Sequence, residues 1–128
     1  MSGGRRTGRR TALFLLYQWD VTGQPLASLY EGEIDVYARE TATAVAANAE
    51  EYDRRITDAA EGWTADRLGA VERNVLRLAI SELDHGEAPR EVVIAEAVAL
   101  AKRYASPDAA RLVNGILGRI AELSPRFQ

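Results

Sequence analysis

The stretch from Glu91 to Ile120, EVVIAEAVALAKRYASPDAARLVNGILGRI, decides the fold of the chain. Apolar residues recur in it three and four positions apart, which is the period of one helix face. The stretch therefore predicts two amphipathic helices, each with an apolar stripe that a neighbouring helix must cover. The residues of the two stripes are Ile94, Ala97, Val98 and Ala101, then Ala109, Leu112, Val113, Ile116, Leu117 and Ile120.

The segment between these helices, RYASPDA, has the residues of a helix end followed by a helix start. Ser106 can cap the second helix through its hydroxyl, and Pro107 suits the first helical position, where no N–H is needed. Asp108 places a negative charge at the positive end of the helix dipole. We therefore predict a break near Ala105.

Two glycines one turn apart, Gly115 and Gly118, interrupt the second stripe beside Asn114. Each interior glycine costs a helix roughly 1 kcal/mol relative to alanine, so their presence needs a reason. The sequence allows two: a tight crossing with another helix, or a ligand or phosphate against that face. If a ligand binds there, its path would extend over a polar strip of this helix, formed by Arg111, Asn114, Gly118 and Arg119.

Outward from this stretch, residues 66–83 read DRLGAVERNVLRLAISEL and are apolar on more than one side. A helix apolar over that much of its circumference is packed by neighbours on several sides, so we predict a central helix. Asp84-His85-Gly86 ends it, with His85 as a helix-end residue rather than a ligand or base. Residues 33–61 predict two further helices with a break near Asn48, and residues 25–32 a short one.

The first helix grows out of RRTGRRTALFLLYQWD and ends at Gly23, after a disordered segment at residues 1–4. Its start carries a cluster of guanidinium groups, whose planar forks of donors suit phosphate oxygens. The alternative is a solubilising or disordered tail, and Gly8 within the cluster favours local flexibility. The cluster consists of Arg5, Arg6, Arg9 and Arg10.

No strand pattern is evident, so the chain is predicted to be all-α, a single domain over residues 1–128 with six or seven helices. It has no Cys and one His, which excludes disulfides and a cluster of His and Cys ligands for zinc. We predict no metal and no cofactor. No apolar run approaches the roughly 20 residues that span a bilayer, so the expected location is cytoplasmic, without membrane contact.

The net charge of −3 conceals a division. The first ten residues carry four arginines and no acid, so the remainder of the chain carries −7. A basic arm on an acidic body indicates two kinds of partner. No phosphate-binding Gly-rich loop, GxSxG elbow or HExxH pair is present in the sequence, so a binding protein is predicted rather than an enzyme.

With these features the chain resembles the NusB family of transcription antitermination factors over nearly its whole length. RRTGRRTALFLLYQWD resembles the family's arginine-rich first helix, and VERNVLRLAISEL, VVIAEAVALAKRY and LVNGILGRI resemble its three C-terminal helices in order and spacing. The resemblance implies two packed helical subdomains and no catalytic residues.

The resemblance also implies partners. Family members bind single-stranded boxA RNA of ribosomal RNA leader transcripts together with the small-subunit ribosomal protein NusE, within the antitermination complex of RNA polymerase. Arg5, Arg6, Arg9 and Arg10 would then contact RNA phosphates. The protein partner would lie across Tyr17, Glu72, Asp108 and Leu112.

Three of these assignments keep an ordinary structural alternative. Tyr17 would equally suit core packing, Glu72 a solvated surface charge, and Asp108 a helix-start charge. The sequence also departs from the family pattern: Ala95 replaces Asn, Ala109 replaces Ser, Leu112 stands where Phe is common, and Gly8 interrupts the arginines.

Two other functions remain open at this stage. One is a protein-interaction or regulatory domain without specific RNA binding, in which self-association as a homodimer covers the partner surface. The other is a subunit of an RNA-modifying enzyme, because a related helical domain precedes the catalytic fold in some RNA cytosine methyltransferases.

Overall fold

The computed structural model describes residues 2–30, 32, 34–86 and 88–123, and within these residues all regular structure is helical. The predicted all-α class is therefore confirmed. The six α-helices are α1 (Ser2–Thr22), α2 (Val36–Ala47), α3 (Ala49–Ala59), α4 (Ala70–His85), α5 (Arg90–Tyr104) and α6 (Pro107–Leu123). Two short 3-10 helices span Leu26–Leu29 and Ala65–Arg67. None of the described helices is long and apolar enough to cross a membrane.

Most helix ends lie where the local signals predicted them. The break near Asn48 separates α2 from α3, and α1 ends before Gly23, whose φ of 72° is the left-handed geometry that glycine adopts freely. At the start of α6 the Ser106 Oγ accepts a hydrogen bond from the Ala109 backbone N–H at 3.0 Å, which confirms the predicted cap. Helix α1 begins at Ser2, and Met1 lies outside the described residues. Whether residues 1–4 are disordered stays a prediction.

One helix begins later than predicted. We expected the central helix from about Asp66, but a 3-10 turn occupies that region and α4 starts at Ala70. The backbone of Gly69 is extended, and the Glu72 Oε2 accepts its N–H at 2.8 Å, closing a capping interaction. Gly69 thus separates the 3-10 turn from α4, whereas the apolar pattern of the sequence predicted one continuous helix.

The two halves of the chain share one hydrophobic core. Helices α4, α5 and α6 pack against one another, while α1 packs against both α2 and α4. Helix α4 has nine buried residues on several sides, as predicted for the central helix. The core runs continuously through all six helices.

A buried polar network fixes the end of α1 against α4. The Asp20 Oδ2 accepts hydrogen bonds from Arg73 Nε at 2.8 Å, Asn74 Nδ2 at 2.9 Å and Arg77 Nη1 at 3.2 Å. Arg77 also forms a two-point contact with Asp53 of α3, at 2.7 and 2.6 Å. Burial alone would raise the pKa of Asp20, but the hydrogen bonds and positive charges outweigh it and hold that pKa below its ordinary value.

Gly8 marks a close approach of α1 to α2. A Cβ at this position would lie 2.5 Å from the Tyr37 Cδ1 and 3.1 Å from the Asp35 Oδ2. The prediction that Gly8 confers flexibility is wrong, because the glycine is buried and helical and its missing side chain is filled by the Tyr37 ring.

Candidate nucleic-acid and partner interface

One face of α1 is turned toward solvent, and it is basic in its first half and apolar in its second half. We call it the α1 face; its residues are spaced four, four, three and four apart, so they lie above one another on the helix. The two arginines come first, and Phe14, Tyr17 and Val21 follow, with 48%, 40% and 57% of their surface exposed. In order, the face consists of Arg6, Arg10, Phe14, Tyr17 and Val21.

The two arginines of the α1 face are accessible to a ligand. Arg6 leaves 65% of its side chain exposed, although its Nε donates to the Glu96 Oε1 at 3.1 Å. Arg10 is half-buried, and within the described part of the chain no ion pair holds its guanidinium. The side chain of Arg5 lies outside the described residues.

Arg9 is placed differently from its neighbours. Its Nε donates to the Glu82 Oε1 at 2.7 Å, and only 8% of its side chain is exposed. Burial alone would lower the pKa of Arg9, but the hydrogen bond and charge of Glu82 raise it. Arg9 therefore joins α1 to α4 from the inside, and the four arginines do not form one surface cluster.

A groove of about 310 Å³ separates the basic half of α1 from α5. Arg103 of α5 lines it opposite the two arginines of the α1 face, with Ala99 and Leu100 along the floor. Sequence reasoning did not select Arg103. Nothing in the local pattern of α5 distinguishes it from any other exposed basic residue, because only the packing of α5 against the rest of the bundle brings it here.

An aromatic pair follows the arginines of this groove along both helices. The rings of Phe14 and Tyr104 meet edge-on, with centroids 5.2 Å apart and planes at 87°. The Arg103 Cζ lies 5.3 Å from the centroid of the Tyr104 ring, within cation–π distance. Phe14 was also missed from the sequence, although its position four residues after Arg10 placed it on the same helix face.

The residues assigned to a protein partner lie on the surface. Tyr17 is exposed, which excludes the core-packing alternative, and Asp108 is exposed in the first turn of α6, where it pairs with Arg111. Leu112 is half-buried at the edge of the core. Glu72 already caps the start of α4 through Gly69, so it has a structural role whether or not it contacts a partner.

Two tertiary contacts are made by residues of α1 on either side of Tyr17. Tyr17 lies one turn from Phe14, which contacts the end of α5, and one turn from Asp20, which binds the start of α4. The end of α5 and the start of α4 therefore contact α1 one turn before and one turn after Tyr17. Among the described residues, no hydrogen bond or ion pair joins Tyr17, Glu72, Asp108 and Leu112 to one another.

The glycines of α6 do not make a tight crossing. A Cβ at either Gly115 or Gly118 would meet no atom within 4 Å, so that explanation is wrong. The ligand-face explanation stays a prediction. Both arginines of the polar strip are already engaged: Arg111 pairs with Asp108, and Arg119 donates to the backbone carbonyl of Ala59.

The single histidine ends α4, as predicted. His85 is the last residue of that helix, and its Nδ1 lies 2.6 Å from the Ser81 carbonyl oxygen one turn earlier. In the described part of the chain, no three His, Asp or Glu side chains are grouped so as to hold a metal ion.

Known proteins resemble the chain over almost its entire length. A model of the NusB family matches residues 6–122. The transcription antitermination protein NusB of Rubrobacter xylanophilus is 41% identical over 120 residues, which cover 88% of this chain and 86% of that protein. Its counterpart from Salinispora tropica is 38% identical over 133 residues, covering 95% and 98% of the two chains.

A solved structure shares both the fold and the sequence pattern. In a crystal structure of the antitermination factors NusB and NusE in complex with double-stranded RNA, the similar chain is 32% identical to this one with a TM-score of 0.84. The match covers 97% of this chain and 100% of that one.

Proposed function

Because the chain belongs to the NusB family, we propose that it is a transcription antitermination factor that binds RNA together with the ribosomal protein NusE. The observation that carries this proposal is the division of the α1 face into a cationic half and an apolar half. Phosphates and a protein surface need these two different chemistries, and the face offers them side by side.

The proposed RNA is boxA of ribosomal RNA leader transcripts, bound as a single strand. Arg6 and Arg10 would contact its phosphates, with Arg5 continuing the series toward the helix start. Arg9 is assigned a supporting role, because its pairing with Glu82 holds the basic half of α1 against α4. Releasing it to bind RNA would leave a largely buried carboxylate without a partner.

The proposed protein partner occupies the part of the α1 face that follows Phe14, at Tyr17 and Val21. Tyr17 supplies an exposed aromatic side chain, the residue type most often found at the centre of interfaces, and Leu112 supplies an aliphatic edge. Asp108 and Glu72 would attract a basic ribosomal protein at the rim. Self-association of the free protein, if it uses the same apolar residues, would compete with this partner.

The proposed setting is the RNA polymerase antitermination complex in the cytoplasm, where the protein acts by binding and not by catalysis. Its RNA affinity should then depend on sequence, on salt and on the partner.

A salt series of RNA binding tests the proposal. Fluorescence anisotropy would be measured with a boxA-like strand and a scrambled strand of equal length, each with and without purified NusE. Neutralisation of three phosphates by arginines predicts that log K falls with log salt at a slope of roughly −2. A boxA preference that increases with NusE supports the proposal.

Equal binding of both strands with and without NusE would reject specific recognition. Absence of RNA binding together with tight NusE binding would favour a protein-interaction domain. The double-stranded form of the same RNA serves as a third probe, because the similar crystallised complex contains double-stranded RNA.

A further inference from the structure

The groove between α1 and α5 has more positive charge than the first helix supplies alone. Arg6, Arg10 and Arg103 line it from two helices that are distant in sequence. One acid, Glu96, also lines the groove. Its Oε1 lies 3.1 Å from the Arg6 Nε, and its Oε2 lies 4.0 Å from the Nη1 of the buried Arg9. The groove therefore retains an excess of positive charge that faces solvent.

The arginines of the groove come from both of its walls. Arg6 and Arg10 are one turn apart on α1, which is about 6 Å along the helix axis. Arg103 approaches from α5 on the opposite wall and is exposed. A chain of phosphates laid in the groove would meet guanidinium groups from both sides.

An aromatic pair, Phe14 and Tyr104, adjoins the arginines of the groove. Phe14 lies one further turn beyond Arg10 and is 48% exposed, a large exposure for a phenylalanine. The Phe14 ring meets the Tyr104 ring edge-on and stays half-exposed, and Arg103 in turn lies over Tyr104. Ring and cation are thus held in one cluster.

We propose that this groove forms a second part of the RNA site, in which Arg103 joins Arg6 and Arg10 in binding the phosphates of a single strand and one base stacks on Phe14. The inference rests on the proposed function and adds residues of α5 to it. The favoured ligand is RNA rather than an acidic peptide, because each nucleotide combines an anion with a flat ring. That combination matches an arginine and an exposed aromatic ring one helical turn apart.

Two variants separate the phosphate and stacking contributions. Arg103→Ala should reduce the magnitude of the salt slope by roughly 0.7, the value for one phosphate on a single strand. Phe14→Ala should leave the slope unchanged and lower affinity roughly 5- to 100-fold, whereas Phe14→Tyr, which keeps the ring, should restore it. RNA carrying 2-aminopurine at successive positions gives a direct signal, since stacking quenches its fluorescence.

Arg54→Ala is the matched control. Arg54 is an exposed arginine on α3 in a separate, acid-lined groove, so its removal makes the same change in net charge outside the proposed site. Circular dichroism of each variant establishes that the fold is intact, and the NusE affinity of each variant shows whether the partner surface has changed.

The outcomes distinguish this proposal from the proposed function. If the wild-type protein binds RNA and Arg103→Ala and Phe14→Ala match Arg54→Ala, the groove is not part of the site although the function stands. If Phe14→Ala weakens NusE binding and spares RNA, the ring belongs to the protein interface and the stacking proposal is overturned. If the wild-type protein binds no RNA, both fail.

Discussion

At the residue scale, Arg9 and Arg10 are adjacent in sequence and opposite in environment. Arg10 lies on the α1 face, whereas Arg9 is buried against Glu82. The sequence contained a signal for this difference, because Arg9 lies three, four and seven positions before the buried Ala12, Leu13 and Leu16. Its ion-pair partner could not be predicted, since Glu82 is 73 residues away and only the packing of α1 on α4 joins them.

The difference predicts separate effects on stability. Arg9→Ala leaves the Glu82 carboxylate, 15% exposed, without its partner and should lower the free energy of unfolding by about 2–3 kcal/mol. Arg10→Ala removes a half-buried cation that forms no ion pair with any described residue, and it should change the free energy of unfolding by less than about 0.5 kcal/mol. Urea denaturation followed by circular dichroism measures both. Equal stability of the two variants would contradict the assignment of Arg9 to the interior.

At the element scale, helical periodicity predicted every long helix, and capping residues predicted most of the ends. Ser106, Asn48 and Gly23 act locally, so a single sequence reveals them. Close approaches between helices depend on distant residues, and there the predictions for glycines were wrong. Gly8 has no side chain because Tyr37 occupies that space, while the expected crossing at Gly115 and Gly118 meets no neighbouring atom.

Alanine substitutions of these glycines should therefore act in opposite directions. Gly8→Ala forces the Tyr37 ring or α2 to move and should destabilise the fold by about 1–3 kcal/mol. Gly115→Ala adds a methyl group in open space within a helix and should stabilise it by about 0.5–1 kcal/mol. Thermal unfolding of both variants gives the comparison. A Gly8→Ala protein at least as stable as wild type would argue against the close packing of α1 on α2.

At the scale of the whole molecule, the separation of basic and acidic residues in the sequence corresponds to a different separation in the structure, in which basic and apolar residues occupy the two halves of the α1 face. The sequence indicated a basic arm on an acidic body and hence two kinds of partner. The structure places the basic residues and the exposed apolar residues on consecutive turns of α1, which contacts α5 through Phe14 and the start of α4 through Asp20. Arg103 and Tyr104 could not be anticipated, because their significance arises only where α5 packs beside α1.

The central claim is that the two ends of the α1 face bind different partners, RNA at Arg6 and Arg10 and the protein NusE at Tyr17. It is tested most directly by measuring RNA affinity and NusE affinity separately for two variants, the double substitution Arg6→Ala with Arg10→Ala, and Tyr17→Ser. The arginine variant should lose RNA affinity at least about tenfold and flatten its salt dependence while NusE binding is unchanged. Tyr17→Ser should lose NusE affinity by at least about tenfold while RNA binding without NusE is unchanged. Loss of both affinities in each folded variant, or loss of NusE binding alone in the arginine variant, would contradict the claim.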